Sequence, residues 1–349
     1  MNVSPRTRPG AFHRRRVPPY LLVARYQAAA FLLLTGCGGS FRAPGQAPPI
    51  LLVSDRGGSY RIYEEIDKGN ARPVAFAESG RPHADTMPAR LPDGGVVFVS
   101  DRDGTPGIYL APPRGEVRRL TSDPGPTEVS APAPLGRDRI VFAGIDAGAP
   151  KDSRRDLYTM RLDGGDLRRL TRHPADDAEP WGTGDGRTVV FVSDRTGAAR
   201  VWLIPEVEVS DPDSGAVCLS ETRPHGVPDS GGTGDFADHG PVLLSDGSIV
   251  FAREPEGRVP QIFQMSREGE RAGLRQITDP LTLPYGASEP VVLDERTILL
   301  VAGPLGGKDR RSGGGRFAVY RIALGGFNLA RVTRDQAAYS DFTRRLGGP

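Results

Sequence analysis

The sequence predicts an all-β fold: a six-bladed β-propeller of four-stranded antiparallel blades, closed by the C-terminal segment. Three observations lead there. The heptapeptide Val189-Val190-Phe191-Val192-Ser193-Asp194-Arg195 recurs identically at Val96 to Arg102, and with other apolar residues at Ile50 to Arg56. Each copy is a short β-branched and aromatic run followed by polar punctuation, the pattern of a buried strand. The central apolar residues of six such runs, Leu52, Phe98, Phe142, Phe191, Phe251 and Leu300, follow one another at intervals of 46, 44, 49, 60 and 49 residues. That period is close to the roughly 40–50 residues of propeller blades. Finally, 45 glycines and 33 prolines in 349 residues suit many turns and few long helices.

The first 36 residues differ in kind from the rest. They carry six arginines and no acid, then an apolar run, Ala28 to Leu34, then Thr35-Gly36-Cys37-Gly38. A basic region, a short apolar core and small residues make a secretory signal, and the core falls well short of the roughly 20 residues a spanning helix needs. Leu34-Thr35-Gly36-Cys37 resembles the lipobox of bacterial lipoprotein signals. That resemblance implies a lipid on Cys37, a chain tethered in the periplasm, and, with Gly38 next, the outer membrane. A plain secretory signal, with the chain secreted or at the cell surface, is the alternative. Residues 1–36 are then signal peptide, 37–49 a Gly/Pro/Ser-rich tether and 50–349 the propeller.

Removing the signal lowers Lys+Arg from 45 to 39 against 43 Asp+Glu, so the net charge moves from +2 to −4. No basic stripe remains for nucleic acid. Cys218 has no disulfide partner once Cys37 is acylated.

From Ile50 a four-part unit repeats. It opens on a Pro preceded by small and acidic residues, as in Ala84-Asp85-Thr86-Met87-Pro88, Asp176 to Pro180, Ala237 to Pro241 and Gly286 to Pro290. An Asp-Gly turn often follows (93/94, 185/186, 246/247), which favours a hairpin. The apolar strand comes next. A third strand carries an aliphatic-aromatic pair: Ile62-Tyr63, Ile108-Tyr109, Leu157-Tyr158, Val201-Trp202, Ile262-Phe263 and Val319-Tyr320. The last is a short edge strand such as Arg118-Arg119-Leu120-Thr121 or Arg168-Arg169-Leu170-Thr171, degenerate in the first unit as Arg72 to Ala75. The opening part numbers five until Tyr339-Ser340-Asp341-Phe342 is included, which implies closure by the C-terminal segment.

The combination of Pro, Asp-Gly turn, Val-Phe-Val-Ser-Asp-Arg, Ile-Tyr and Arg-Arg-Leu-Thr resembles the TolB-type propeller repeat across 50–342. The units around 84–121 and 176–204 match closely; the fifth and sixth are degenerate. The resemblance implies a propeller lipoprotein of that superfamily. It leaves out the α/β domain that precedes the propeller in TolB, and with it TolB's own partners.

Candidate binding residues follow from strand direction. The starts of the innermost strands surround the channel mouth on one face, here the top, and bring Asp85, Asp177, Glu179, Asp238, His239, Glu289 and Asp341 near it. A carboxylate ring could hold a cation, a cationic peptide or a sugar. Alternatively these acids cap turns. The long segments Asp146 to Arg155, Glu221 to Asp235 and Gly303 to Arg316 also fall on top, and Pro205 to Ala216 on the bottom. The Asp-Arg pairs 55/56, 101/102 and 194/195 recur from blade to blade, which suits turn-capping and inter-blade pairing better than catalysis.

The chain has no Gly-x-Ser-x-Gly elbow and no His-Glu-x-x-His pair, and its histidines lack metal-ligand spacing. No catalytic residue, metal or cofactor is assigned. The function expected is a lipid-anchored scaffold, a monomeric propeller whose top face binds a protein or glycan. The alternative is a polysaccharide lyase or hydrolase using the mouth carboxylates and His239.

Overall fold

The computed structural model describes residues 50–54, 59–67, 70–74, 82–150, 153–220, 236–294, 296–302 and 318–332. They form six antiparallel sheets in chain order. The first comprises β1 (Leu51–Ser54), β2 (Arg61–Asp67) and β3 (Asn70–Pro73). The second comprises β4 (Asp85–Arg90), β5 (Val96–Ser100), β6 (Gly107–Ala111) and β7 (Arg118–Arg119). The third holds β8 (Thr127–Leu135), β9 (Arg139–Ile145), β10 (Asp156–Arg161) and β11 (Arg168–Arg169). The fourth holds β12 (Asp177–Gly182), β13 (Val189–Ser193), β14 (Arg200–Ile204) and β15 (Val217–Cys218). The fifth is β16 (Phe236–Leu243), β17 (Ile249–Pro255), β18 (Gln261–Ser266) and β19 (Gly269–Gln276), and the sixth β20 (Ala287–Asp294), β21 (Thr297–Ala302), β22 (Ala318–Ala323) and β23 (Ala330–Arg331).

Five sheets are therefore complete four-stranded blades, each an up-and-down meander, and not the six expected. The first sheet has three strands among the described residues. The segment assigned to complete it, around Asp341, lies outside them, as do the leader, the tether and Cys37. Among the described residues no helix is long and apolar enough to cross a membrane.

The first strands of the complete blades, β4, β8, β12, β16 and β20, each pack on the next and so line the inside of the ring. The second strands are buried on both faces: β5 and β13, the identical Val-Val-Phe-Val-Ser runs, are buried at every residue. Alternation along such a strand sends successive side chains to opposite neighbours. In β1, Leu51 and Val53 join Val96, Phe98 and Tyr109 of the second sheet. Ile50 and Leu52 join Val291, Leu299, Val301 and Val319 of the sixth. The first sheet thus sits between the second and the last, and packing runs around the whole ring.

The repeated motif residues are structural joints. The aromatic of the third strand faces that of the second, with ring centroids 5.9 Å apart for Phe98–Tyr109, 5.7 Å for Phe142–Tyr158 and 6.2 Å for Phe251–Phe263. Each such pair adds about 1 kcal/mol beyond its buried area. The closing Thr or Ser turns its hydroxyl oxygen back to accept the amide of the third strand: Ile108 N–H to Thr121, Leu157 to Thr171, Val201 to Ser220 and Ile262 to Thr278, at 2.8–3.1 Å. One kind of main-chain bond between neighbouring blades is repeated at four interfaces. The amides of Asp85, Asp177, Asp238 and Ala287 donate to the carbonyls of Tyr60, Arg155, Ala199 and Pro260 at 2.8–3.0 Å. The outermost strands β7, β11, β15 and β23 are two residues long. Short edges, three of them bearing Arg, blunt pairing with other chains.

The segment 205–216 departs from the expected bottom-face loop. It leaves the bottom, where Val207 N–H donates to the Arg187 carbonyl, and then runs against the preceding blade. Glu208 pairs with Arg168 at 3.0 Å, and Asp213 accepts the Arg172 N–H at 2.9 Å. Acids in a loop next to the Arg-Arg edge strand of the neighbouring blade draw it outward and along that edge.

Candidate functional site

The residues expected at the channel mouth separate by their place relative to the proline repeated in each innermost strand. Three positions before it stand Asp85, Val129, Asp177, Asp238 and Ala287; two before, Thr86, Ser130, Ala178, His239 and Ser288; one before, Met87, Ala131, Glu179, Gly240 and Glu289.

The carboxylates at the first of these positions are buried, with Asp177 and Asp238 at 0% exposure and Asp85 at 1%. Each is paired with an arginine of its own second strand, just past the strand end for Arg102 and Arg195 and within β17, directly opposite Asp238, for Arg253. Arg102 Nη2 lies 2.9 Å from Asp85, Arg195 Nη2 2.7 Å from Asp177, and Arg253 Nε and Nη2 2.7 and 2.9 Å from Asp238. Each guanidinium lies over its blade's aromatic pair: Arg102 is 5.2 and 5.1 Å from the Phe98 and Tyr109 centroids, Arg195 5.5 and 5.3 Å from Phe191 and Trp202. The Phe236 ring lies 3.8 Å from the guanidinium carbons of both Arg200 and Arg253.

A second group, different in each blade, completes the pair. His83 Nε2 stands 3.4 Å from Asp85, Asp213 2.6 Å from Arg195, and Glu270 contacts Arg253. Burial works against the Arg253 charge, but the hydrogen bonds and charge of Asp238, with Glu270 behind, outweigh it and raise its pKa above the ordinary arginine value. Arg195 behaves likewise through Asp177 and Asp213. The expected inter-blade pairing is thus corrected for Arg102 and Arg195, which pair with buried acids of their own blade, while Asp55 and Arg56 lie outside the described residues. Turn-capping by the preceding Asp does occur, since Asp101 accepts the Ala84 N–H at 2.7 Å and Asp194 the Asp176 N–H at 2.8 Å.

The position directly before proline is the inner ring. Met87, Ala131, Glu179, Gly240 and Glu289 all have positive φ, between 47° and 55°. Every one sits at a register shift between the first and second strands of its blade. A left-handed residue before proline is sterically costly, about 1–3 kcal/mol, and recurs here because the bulge re-aims the strand at the ring's centre. The side chains reach around the ring: the Ala131 N–H donates to Met87 Sδ at 3.2 Å, and the Gly240 N–H to Glu179 Oε2 at 2.6 Å. Glu179, His239 and Glu289 are all half-buried. Of the six acids and one histidine expected at the mouth, these three are half-buried, Asp85, Asp177 and Asp238 face arginine, and Asp341 lies outside the described residues.

Blade three has Val129 where three of the others have Asp and builds its own buried carboxylate, which sequence reasoning passed over. Asp156, 4% exposed, receives Arg169 Nη2 at 2.6 Å and the Thr171 hydroxyl at 3.4 Å. Arg169 also holds the half-exposed Asp146 at 2.9 Å. Desolvation, aided by the charge of Asp177 in the next blade and opposed by Arg169, pushes the Asp156 pKa up to about 6. Desolvation and the charge of Asp146 push neighbouring Tyr158 up to about 12. The sequence signal was an Asp directly before the Leu-Tyr pair, where other blades have Gly107, Arg200 or Gln261. Among the described residues no cluster of His, Cys, Asp and Glu has the arrangement of a metal site.

No protein-family model matches the chain. An uncharacterized protein of Agrobacterium fabrum is 29% identical over 175 residues, covering 47% of this chain and 54% of that one. The Tol-Pal system protein TolB of Bordetella pertussis is 33% identical over 171 residues, 48% of this chain and 36% of its own length. The chain therefore spans about half, or less, of the curated relatives it matches. Among solved structures, TolB from Acinetobacter baumannii superposes with a TM-score of 0.58 at 17% identity, over 82% of this chain and 63% of that one. The fold is a TolB-like β-propeller of four-stranded antiparallel blades.

Proposed function

We propose that this chain is a binding scaffold of the bacterial cell envelope, a six-bladed propeller whose top face and channel mouth take a protein or glycan. It is secreted by the 1–36 signal and held by a lipid on Cys37, in the periplasm and at the outer membrane. The TolB likeness supports the envelope setting and the protein partner. Packing of the three-stranded first sheet between its neighbours supports six blades, with the C-terminal segment as the missing strand.

One observation carries the binding assignment. The acids repeated from blade to blade are buried against arginine, whereas the positions next to them are unlike, half-buried groups: Glu179, His239 and Glu289, with Thr86 and Met87 at the corresponding places of the second sheet. A partner meets an asymmetric mouth with two carboxylates, which fits a cationic or hydroxyl-rich ligand. Crosslinking the lipoprotein in intact membranes, followed by pull-down, tests this. A stoichiometric partner lost on Glu179→Gln/Glu289→Gln supports it. Glycan turnover abolished by His239→Ala, with no partner captured, overturns it in favour of an enzyme.

A further inference from the structure

The outermost strand of the fifth sheet departs from the others. β19 is eight residues long, where β7, β11, β15 and β23 have two. Its start is tied down: the Glu270 N–H donates to the Leu219 carbonyl at 3.0 Å, and the buried Glu270 side chain turns in to Arg253. From Arg271 the strand runs along the rim. Arg271, Ala272, Gly273, Arg275 and Gln276 are exposed, and Leu274 is half-buried against the core. The edge is open to approach, since a Cβ at Gly273 would meet no heavy atom within 4 Å. Among the described residues β19 pairs in a sheet with β18 alone, and β16, which carries His239, lies at the opposite edge of that sheet.

Strand register fixes which main-chain groups face outward. Gln276 stands opposite Phe263, Arg275 opposite Gln264 and Leu274 opposite Met265. The Ile277 N–H donates to the Ile262 carbonyl at 2.8 Å. Antiparallel pairing alternates, so Arg275 turns its amide and carbonyl to β18, while Leu274 and Gln276 turn theirs away. Such an edge is a template for a further strand, and shortening it, as in β7, β11, β15 and β23, suppresses that use. Charge narrows what β19 can accept. The stretch 271–276 has two arginines and no acid. Arg275 is held on the rim by bonds from Nη2 to Gln264 Oε1 at 2.6 Å and to the Leu324 carbonyl at 2.8 Å. Two copies meeting edge to edge bring like charges together, whereas an acidic strand finds both cations.

We infer that the outer edge of β19 is a docking surface for an extended, acidic segment of another protein, which adds a fifth strand to the blade. Main-chain bonds to Leu274 and Gln276 hold the segment, and Arg271 and Arg275 select carboxylates in it. This rim surface is separate from the channel mouth and does not depend on what the mouth binds.

A fluorescein-labelled hexapeptide of alternating Glu and Val is the probe, titrated against the full chain and followed by anisotropy. The inference expects saturable binding that weakens as salt is added. It expects a loss of about tenfold or more with Arg271→Glu/Arg275→Glu, and a Lys/Val hexapeptide that binds this reversed variant instead. Methylated peptides separate strand addition from charge alone, on the unaltered protein. Of two Glu/Val peptides N-methylated on alternate amides, one keeps its affinity and the other loses about tenfold or more. Equal affinity of the two overturns strand addition. Undiminished binding of the Glu/Val peptide to the reversed variant overturns this edge as the place. No binding up to about 1 mM peptide overturns the inference outright. A dimer of the chain that the Glu/Val peptide dissociates overturns it in favour of pairing between copies.

Discussion

Removing Asp238 isolates the buried ion network in one step. Its carboxylate accepts two bonds from Arg253, at 2.7 and 2.9 Å, and one from the Ser220 hydroxyl at 2.5 Å. Asp238→Ala leaves Arg253, itself 1% exposed, with Glu270 as its remaining anion in a cavity lined by Phe236 and Phe251. Breaking a buried pair from one side costs about 3–5 kcal/mol, and the surviving Glu270 contact places the loss near 3 kcal/mol. Replacing both partners is milder, because no buried charge is stranded; Asp238→Ala/Arg253→Met should recover at least half the loss. Glu270 is then left without its arginine, so adding Glu270→Gln should recover more. Urea unfolding followed by circular dichroism, with slopes checked for constancy, measures each step. A loss below about 1 kcal/mol for Asp238→Ala would refute the assignment of the strand-opening acids to the frame, and would return them to the channel as ligands.

Asp156 makes stability fall with rising pH. Its folded pKa, about 6, exceeds the ordinary 3.8, so the folded state binds the extra proton between them and that contribution is lost as pH rises through about 6. Comparing wild type with Asp156→Asn from pH 4 to 7 should show the variant gaining relative stability across that window, by less than the roughly 3 kcal/mol of the full shift because solvent screens a partly buried pair. Tyr158 and Tyr109, both raised to about 12, should ionise after the exposed tyrosines in an ultraviolet titration. Gly182→Ala should destabilise by about 1–3 kcal/mol, since its Cβ would stand 2.4 Å from the Pro134 carbonyl oxygen, as urea unfolding can verify. Arg168→Ala, at an edge where both Arg168 and its partner Glu208 are half-exposed, should leave the urea midpoint within error.

The architecture was legible because its joints are made of the same residues each time. A Val-Phe-Val strand, a Leu-Tyr pair and a closing Thr mark strands two, three and four, and each residue meets the same partner in blade after blade. The site was less legible for the same reason. Asp85, Asp177 and Asp238 stand out in the sequence, yet repetition marks a shared structural duty, here holding Arg102, Arg195 and Arg253. Nothing local announces that His83, Asp213 and Glu270 complete those pairs, because they come from a loop, a strap and an outer strand chosen separately in each blade. The inward turn at Met87, Glu179 and Glu289 is equally silent, since bulky residues rarely adopt left-handed backbone and only the following proline hints at the position. The strap at 205–216 left the bottom because of charge on a neighbouring edge, a tertiary effect that loop length does not encode.

The amide-to-carbonyl bond repeated at four blade interfaces has a consequence for how such a protein can change. Donor and acceptor are main-chain atoms at one fixed place, so a blade couples to whatever stands next to it without asking for a particular side chain. The couplings behave as a common thread on interchangeable parts. The residue facing the channel can then drift from Met to Glu to Gly in one blade while its neighbours stay put. A mouth composed one blade at a time can be re-cut for a new ligand with the ring left untouched.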